Sequence, residues 1–151
     1  MKAIAPVVLI ALTTAVLPGQ QAPPVTPLST FASSADVQAL IAKAKGERKD
    51  GQAIVTEKIL QFAPYSATLE YRASVGNAAV HDKEAEMMYV IEGSGKLITG
   101  GKITGTTIQG GDSRTVSKGD FLVVPEGTPH WFSAIDGSLV LMTIKMPRST
   151  P

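Results

Sequence analysis

The stretch GDFLVVPEGTPHWF, residues 119–132, carries its own folding instructions. Gly119-Asp120 turns the chain into a short apolar strand at 121–124. Pro125 ends that strand, because proline cannot donate to a sheet ladder, and Gly127 tolerates the backbone angles of a tight turn. The next strand then begins at His130. By the two-residue period of a strand, His130 shares a face with Phe132 and Ala134, while Trp131 and Ser133 face the other way. A histidine that starts a strand directly after a rigid turn belongs at the mouth of a β-structure, not in its middle.

The same grammar extends in both directions. Residues 53–60, 67–75, 87–91, 96–99, 106–109, 114–117, 121–124, 130–135 and 138–146 read as strands. They are short, rich in β-branched residues and separated by Gly, Pro, Asn or Asp. Glycine pairs at 100–101 and 110–111, and single glycines at 93, 95 and 105, mark hairpin turns. Gly93-Ser94-Gly95-Lys96 imitates part of a phosphate-binding loop, but Val90 and Leu97 stand where that motif needs Gly and Ser or Thr. It reads as one more hairpin turn. Eight or nine strands with no helix among them point to a sandwich or closed barrel. Ahead of them, Ser33 and Asp36 make a variant capping box, with Val37, Leu40, Ile41 and Ala44 on one face and Gly46 as the stop. That short helix is expected to lie against the outside of the β-domain.

With 151 residues the chain suits one domain with one core. Its 14 basic and 13 acidic side chains leave a formal charge of +1, which offers no case for nucleic acid or an anionic membrane surface. Cysteine is absent, which excludes disulfides, thiolate metal ligands and a lipoprotein anchor. Met1-Lys2, the apolar run at 3–17 and Pro18-Gly19 match a secretory signal peptide; the run is shorter than the roughly 20 residues of a membrane span. The expected division is a signal peptide at 1–19, a Pro-rich spacer at 20–32, the helix and its connector at 33–50, and the β-domain at 51–148. A secreted or periplasmic protein without a stable membrane span follows from this reading.

Only two histidines occur, His130 and His81, and His81 stands five positions before Glu86. Two imidazoles and a carboxylate from separate strands make a plausible first shell for one metal ion. Residues 119–134 resemble the second motif of the cupin superfamily, G(X)5PXG(X)2H(X)3N: Gly119, Pro125, Gly127 and His130 match in register, and Ala134 replaces the final Asn. The first motif, G(X)5HXH(X)3,4E(X)6G, is matched by His81, Glu86 and Gly93, with Ala79 where the first histidine would stand. The resemblance covers about residues 52–146. It implies an all-β fold, a cupin-type antiparallel barrel or jelly roll with a short N-terminal helix. It also implies that His81, Glu86 and His130 are three of the usual four ligands of a divalent metal. Iron, manganese, nickel and zinc accept the same donors.

Two functions follow as expectations. The first is an exported, metal-dependent cupin acting on a small organic molecule, with oxygenase, isomerase and lyase chemistry all open. The alternative is a non-catalytic cupin that binds a small molecule without metal, since one usual histidine is missing. A homodimer is the family-level expectation in either case. If Glu86 points inward, Met88 and Val90 share its face, and Met87, Met88, Trp131 and Phe132 are packing residues. Lys83 and Glu84 read as a solvated turn. Tyr71 and Tyr89 are candidate general bases if they face the pocket. Arg72 reaches an anionic substrate if it faces inward, and is an outer-face charge otherwise.

Overall fold

The computed structural model describes residues 30–148. The signal peptide expected at 1–19, and all but the last residues of the spacer at 20–32, lie outside the described residues. Helix α1 (Ser34–Glu47) starts where the capping box places it: the Asp36 amide donates to Ser33 Oγ, and the Ser33 amide donates to Asp36 Oδ2. It does not stop at Gly46. The helix continues to Glu47 and ends on the extended backbone of Arg48, so this glycine is not used as a left-handed cap. No described helix is long and apolar enough to cross a membrane.

Eight strands follow among the described residues: β1 (Ile54–Phe62), β2 (Tyr65–Arg72), β3 (Glu84–Thr99), β4 (Lys102–Thr104), β5 (Thr107–Gln109), β6 (Asp112–Ser117), β7 (Phe121–Val124) and β8 (His130–Pro147). They are antiparallel, in the order β1-β2-β8-β3-β6, with β7 also pairing β3; β4 and β5 form a separate hairpin between the two glycine pairs. This is the all-β architecture expected.

Two expected turns are absent. Gly93-Ser94-Gly95 lies inside β3, and Asp136-Gly137 lies inside β8, so each pair of short strands is one long strand. Glycine in a strand signals a turn or a bulge, and here the ladder slips register between Val90 and Glu92 and again between Gly93 and Ser94. The strands bend and continue. Phe132 shares the inward face of His130, but a further slip between Lys96 and Leu97 turns Ala134 out to solvent, so Ala134 does not share that face as strict alternation expects.

The bend folds the β3–β8 pair over itself. Met88, Val90, Leu139 and Leu141 from one side of it pack with Leu97 and Phe132 from the other, closed by Val116 and Val124. At Gly93 the backbone of β8 passes close to β3. The φ of Gly93 is +81°, and a β-carbon there would lie 1.9 Å from the Ser138 carbonyl oxygen.

On β2 the apolar and polar faces are reversed relative to a simple barrel. Leu69 and Tyr71 face outward and, with Val55 and Val140, are covered by Ile41 and Ala44 of α1. Helix and sheet are also joined by ion pairs, Lys43 to Glu57 at 2.8 Å and Lys45 to Glu92 at 2.9 Å. The alternate residues Thr68, Glu70 and Arg72 are thereby turned into the interior. The helix removes the outer apolar stripe from water, so the inner wall is free to be polar.

Gly93→Ala is expected to destabilise the fold far more than Gly100→Ala. Both add a side chain at positive φ, a strain of roughly 1–2 kcal/mol, but a β-carbon at Gly100 meets open space. Urea unfolding of the two variants checks this, and equal losses would contradict the packed bend.

Candidate metal centre

Each donor is delivered by a different local device. Glu86 sits near the start of β3 on the inward face with Met88 and Val90, and is 4% exposed. His130 opens β8 after the turn in which the Thr128 amide donates to the Pro125 carbonyl, with Gly127 at φ +68°. His81 precedes β3 on a segment without regular structure. That segment is tied down at two points: Ala79 and His130 exchange both backbone hydrogen bonds, and the Gly127 amide donates to the His81 carbonyl at 2.8 Å. The turn that positions His130 therefore also fixes His81.

The three side chains meet. Glu86 Oε2 is 3.0 Å from His130 Nε2, and Glu86 Oε1 is 3.3 Å from His81 Nε2. One donor atom from each residue lies within 4.8 Å of the others. Neighbouring ligands about 2.1 Å from a shared ion are separated by about 3.0 Å at octahedral and about 3.4 Å at tetrahedral angles, so the carboxylate–imidazole spacings of 3.0 and 3.3 Å suit one metal ion.

The orientation of His130 suits a ligand role. His130 Nδ1 lies 3.1 Å from the Thr128 carbonyl, which can only accept, so Nδ1 carries the hydrogen. Nε2 is thereby turned toward Glu86 Oε2, 3.0 Å away. A backbone carbonyl orienting the far nitrogen is the usual support for a metal-binding imidazole. Burial pushes the Glu86 carboxyl up, but the hydrogen bond from His130 and the charges of His130, His81 and Lys145 outweigh it and hold Glu86 below its ordinary range.

The triad lines a cavity of about 340 Å³ with Thr56, Thr68, Glu70, Arg72, Asn77, Ala79 and Lys145. That is at the small end of the range for ligand pockets, about 300–1,000 Å³. Ala79, in the place of the first motif's first histidine, is in the wall. Arg72 faces inward, which resolves its two sequence readings. Glu84 is the first residue of β3, not part of a solvated turn, and holds Lys145 Nζ at 2.5 Å. Neither tyrosine reaches the cavity. Tyr71 packs under α1, and Tyr89 lies on the outer face beside Phe121. Phe132 is core, as expected, whereas Trp131 is only half-buried and donates from Nε1 to the Gly76 carbonyl. Of the polar wall from β1 and β2, the sequence points to Arg72 alone; Thr56, Thr68 and Glu70 are not anticipated. The wall's signal was the alternation Thr68, Glu70, Arg72, which reads as a solvent face until the helix is placed.

The sequence profile of the cupin domain matches residues 66–145, more than half of the chain. No curated protein matches the chain in sequence. Similar solved structures include a protein from Bacillus halodurans, at 17% identity and TM-score 0.56, over 82% of this chain and 85% of the other. KdgF from Halomonas sp. is similar at 21% identity and TM-score 0.50, over 67% and 86%. The iron(II) form of HppE is similar at 18% identity and TM-score 0.55, over 66% of this chain and 54% of the HppE chain, about half its length. At such identities the likeness is one of fold.

Because the folded protein holds the Glu86 carboxyl below its ordinary 4.5, ionised Glu86 stabilises the fold. That contribution is complete above the unfolded value and is lost as pH falls through the folded one. Urea midpoints of chelator-treated protein between about pH 7 and pH 3 are expected to fall less steeply in Glu86→Gln than in the parent. Parallel curves would contradict the assignment.

Proposed function

The chain belongs to the cupin family, and from that premise we propose an exported metal-binding cupin that acts on a small organic molecule through one divalent ion held by His81, Glu86 and His130. The observation that carries this reading is the buried carboxylate set between two imidazole nitrogens at 3.0 and 3.3 Å, in the wall of a cavity of about 340 Å³. The donor set of two imidazoles and one carboxylate suits iron, manganese, nickel or zinc and leaves positions for other ligands. An ion bound there supplies Lewis acidity toward an oxygen of the small molecule.

The chain's own groups do the rest. The Thr128 carbonyl keeps His130 Nε2 aimed inward. Thr56, Thr68 and Asn77 offer hydrogen bonds to polar atoms of the ligand, and Met88 and Val90 form part of the apolar core behind Glu86. Among the lining residues outside the triad, Glu70 and Lys145 are each held in an ion pair, with Arg72 and with Glu84. Export rests on the basic, apolar and helix-breaking order of residues 1–19, and a homodimer rests on the family resemblance.

Ala79 favours a second reading, a small-molecule-binding cupin that holds no metal. The two readings part on metal content. We expect one divalent ion per chain in protein purified without a chelating tag, and its loss in His130→Ala. Ala79→His adds a donor beside His130 and is expected to tighten metal binding at least about tenfold, or about 1.4 kcal/mol. No metal in the parent or in Ala79→His after reconstitution with iron, manganese, nickel and zinc would decide for the metal-free reading.

A further inference from the structure

Arg72 is held in the cavity wall in an unusual way. Its Nε and Nη2 both donate to one oxygen of Glu70, at 2.9 and 2.6 Å. Its Cζ lies 4.8 Å from the centre of the Phe132 ring, itself 2% exposed. The side chains of Arg72 and Glu70 are only 12% and 16% exposed. One edge and one face of the guanidinium are thus fixed. The other edge, formed by Nη1 and the second hydrogen of Nη2, has no partner among the described residues.

A structural cation needs no such arrangement. An arginine that only capped Phe132 would keep its free edge in bulk water, whereas this one borders the cavity that contains His81, Glu86 and His130. Guanidinium donors form a planar fork that matches carboxylate or phosphate oxygens two at a time. The anchoring to Glu70 and Phe132 removes most of the rotamer freedom that binding would otherwise cost. The remaining wall adds Thr56, Thr68 and Asn77, which suit hydroxyl or carbonyl oxygens, and the ammonium of Lys145, which stands directly across the ladder from Glu86. With a divalent ion present, the cations Arg72, Lys145 and the ion carry four positive charges against three on Glu70, Glu84 and Glu86. The surplus favours an anion.

We infer that Arg72 is the specificity-determining residue of this cavity, and that it selects a small, oxygen-rich organic molecule bearing an oxyanion, a carboxylate or a phosphate ester. The inference rests on the cavity being the ligand site proposed above. Glu70 is a positioning residue: it aims Arg72 and does not contact the ligand through the free edge.

The test is calorimetric titration of metal-loaded, full-length protein. The probes are lactate, malate and gluconate in one arm, glycerol 3-phosphate and inorganic phosphate in the second, and glycerol and glucose in the third. At least one oxyanion is expected to bind, and the uncharged probes at least tenfold more weakly. Arg72→Gln is expected to weaken the best anion at least tenfold with metal content unchanged. Glu70→Gln, which keeps one hydrogen-bond acceptor and removes a competing charge, is expected to leave anion affinity equal or raise it. The first two arms separate carboxylate from phosphate. Equal weakening in both variants would reduce the pair to a structural role and overturn the inference. So would unchanged affinity in Arg72→Gln, or no anion binding to the parent. Metal content of the same samples reports separately on the metal reading. If the parent holds no metal, the same Arg72→Gln contrast is read by anion-induced thermal shift of the metal-free protein.

Discussion

The antiparallel pairing of β3 with β8 is the constraint on which the rest depends. The ladder runs from Glu84 opposite Pro147 to Thr99 opposite His130. Glu86 lies near one end and His130 at the other. In a straight ladder the 13 residues from Glu86 to Thr99 would separate them by about 40 Å, at about 3.3 Å per residue. They stand 3.0 Å apart because the ladder is bent double at its register slips around Glu92, Gly93 and Ser94. One bend thus makes the hydrophobic core and brings the donors together.

That geometry explains why the interior is divided in two. Beneath the bend, Val90, Leu97, Phe132, Leu139 and Leu141 pack from both halves of the ladder and exclude water. Toward the open end, Thr, Glu, Arg, Asn, His and Lys join Ile54 and Ala79 in the lining. Buried polar groups are costly unless they are paired or hydrogen-bonded, and here most of the charged ones are: Arg72 with Glu70, Lys145 with Glu84, and Glu86 with the imidazoles. Helix α1 makes this division possible by covering the apolar face that β1 and β2 turn outward.

The most legible part of the sequence was the segment from Gly119 to His130, because each of its special residues has a backbone reason that does not depend on the rest of the fold. The capping box at Ser33 was legible for the same reason. The glycines at 93, 95 and 137 were not, since a glycine that breaks a strand and one that bends it look alike until the partner strand is known. The face of Arg72 was undecided for a similar reason: β2 alternates cleanly, but which side is inside depends on a helix 20 or more residues upstream. Tyr89 is a different matter. With Glu86 pointing inward, its odd offset puts Tyr89 on the opposite face.

The convergence of His81, Glu86 and His130 is the centre of this account, and diffraction at a metal absorption edge addresses it directly. Crystals of the protein reconstituted with iron(II) or zinc should show one anomalous peak per chain, about 2.0–2.3 Å from Nε2 of both histidines and from a carboxylate oxygen of Glu86. A map with no peak between these residues, or with the metal held elsewhere while Glu86 keeps its direct contacts to both imidazoles, would contradict it.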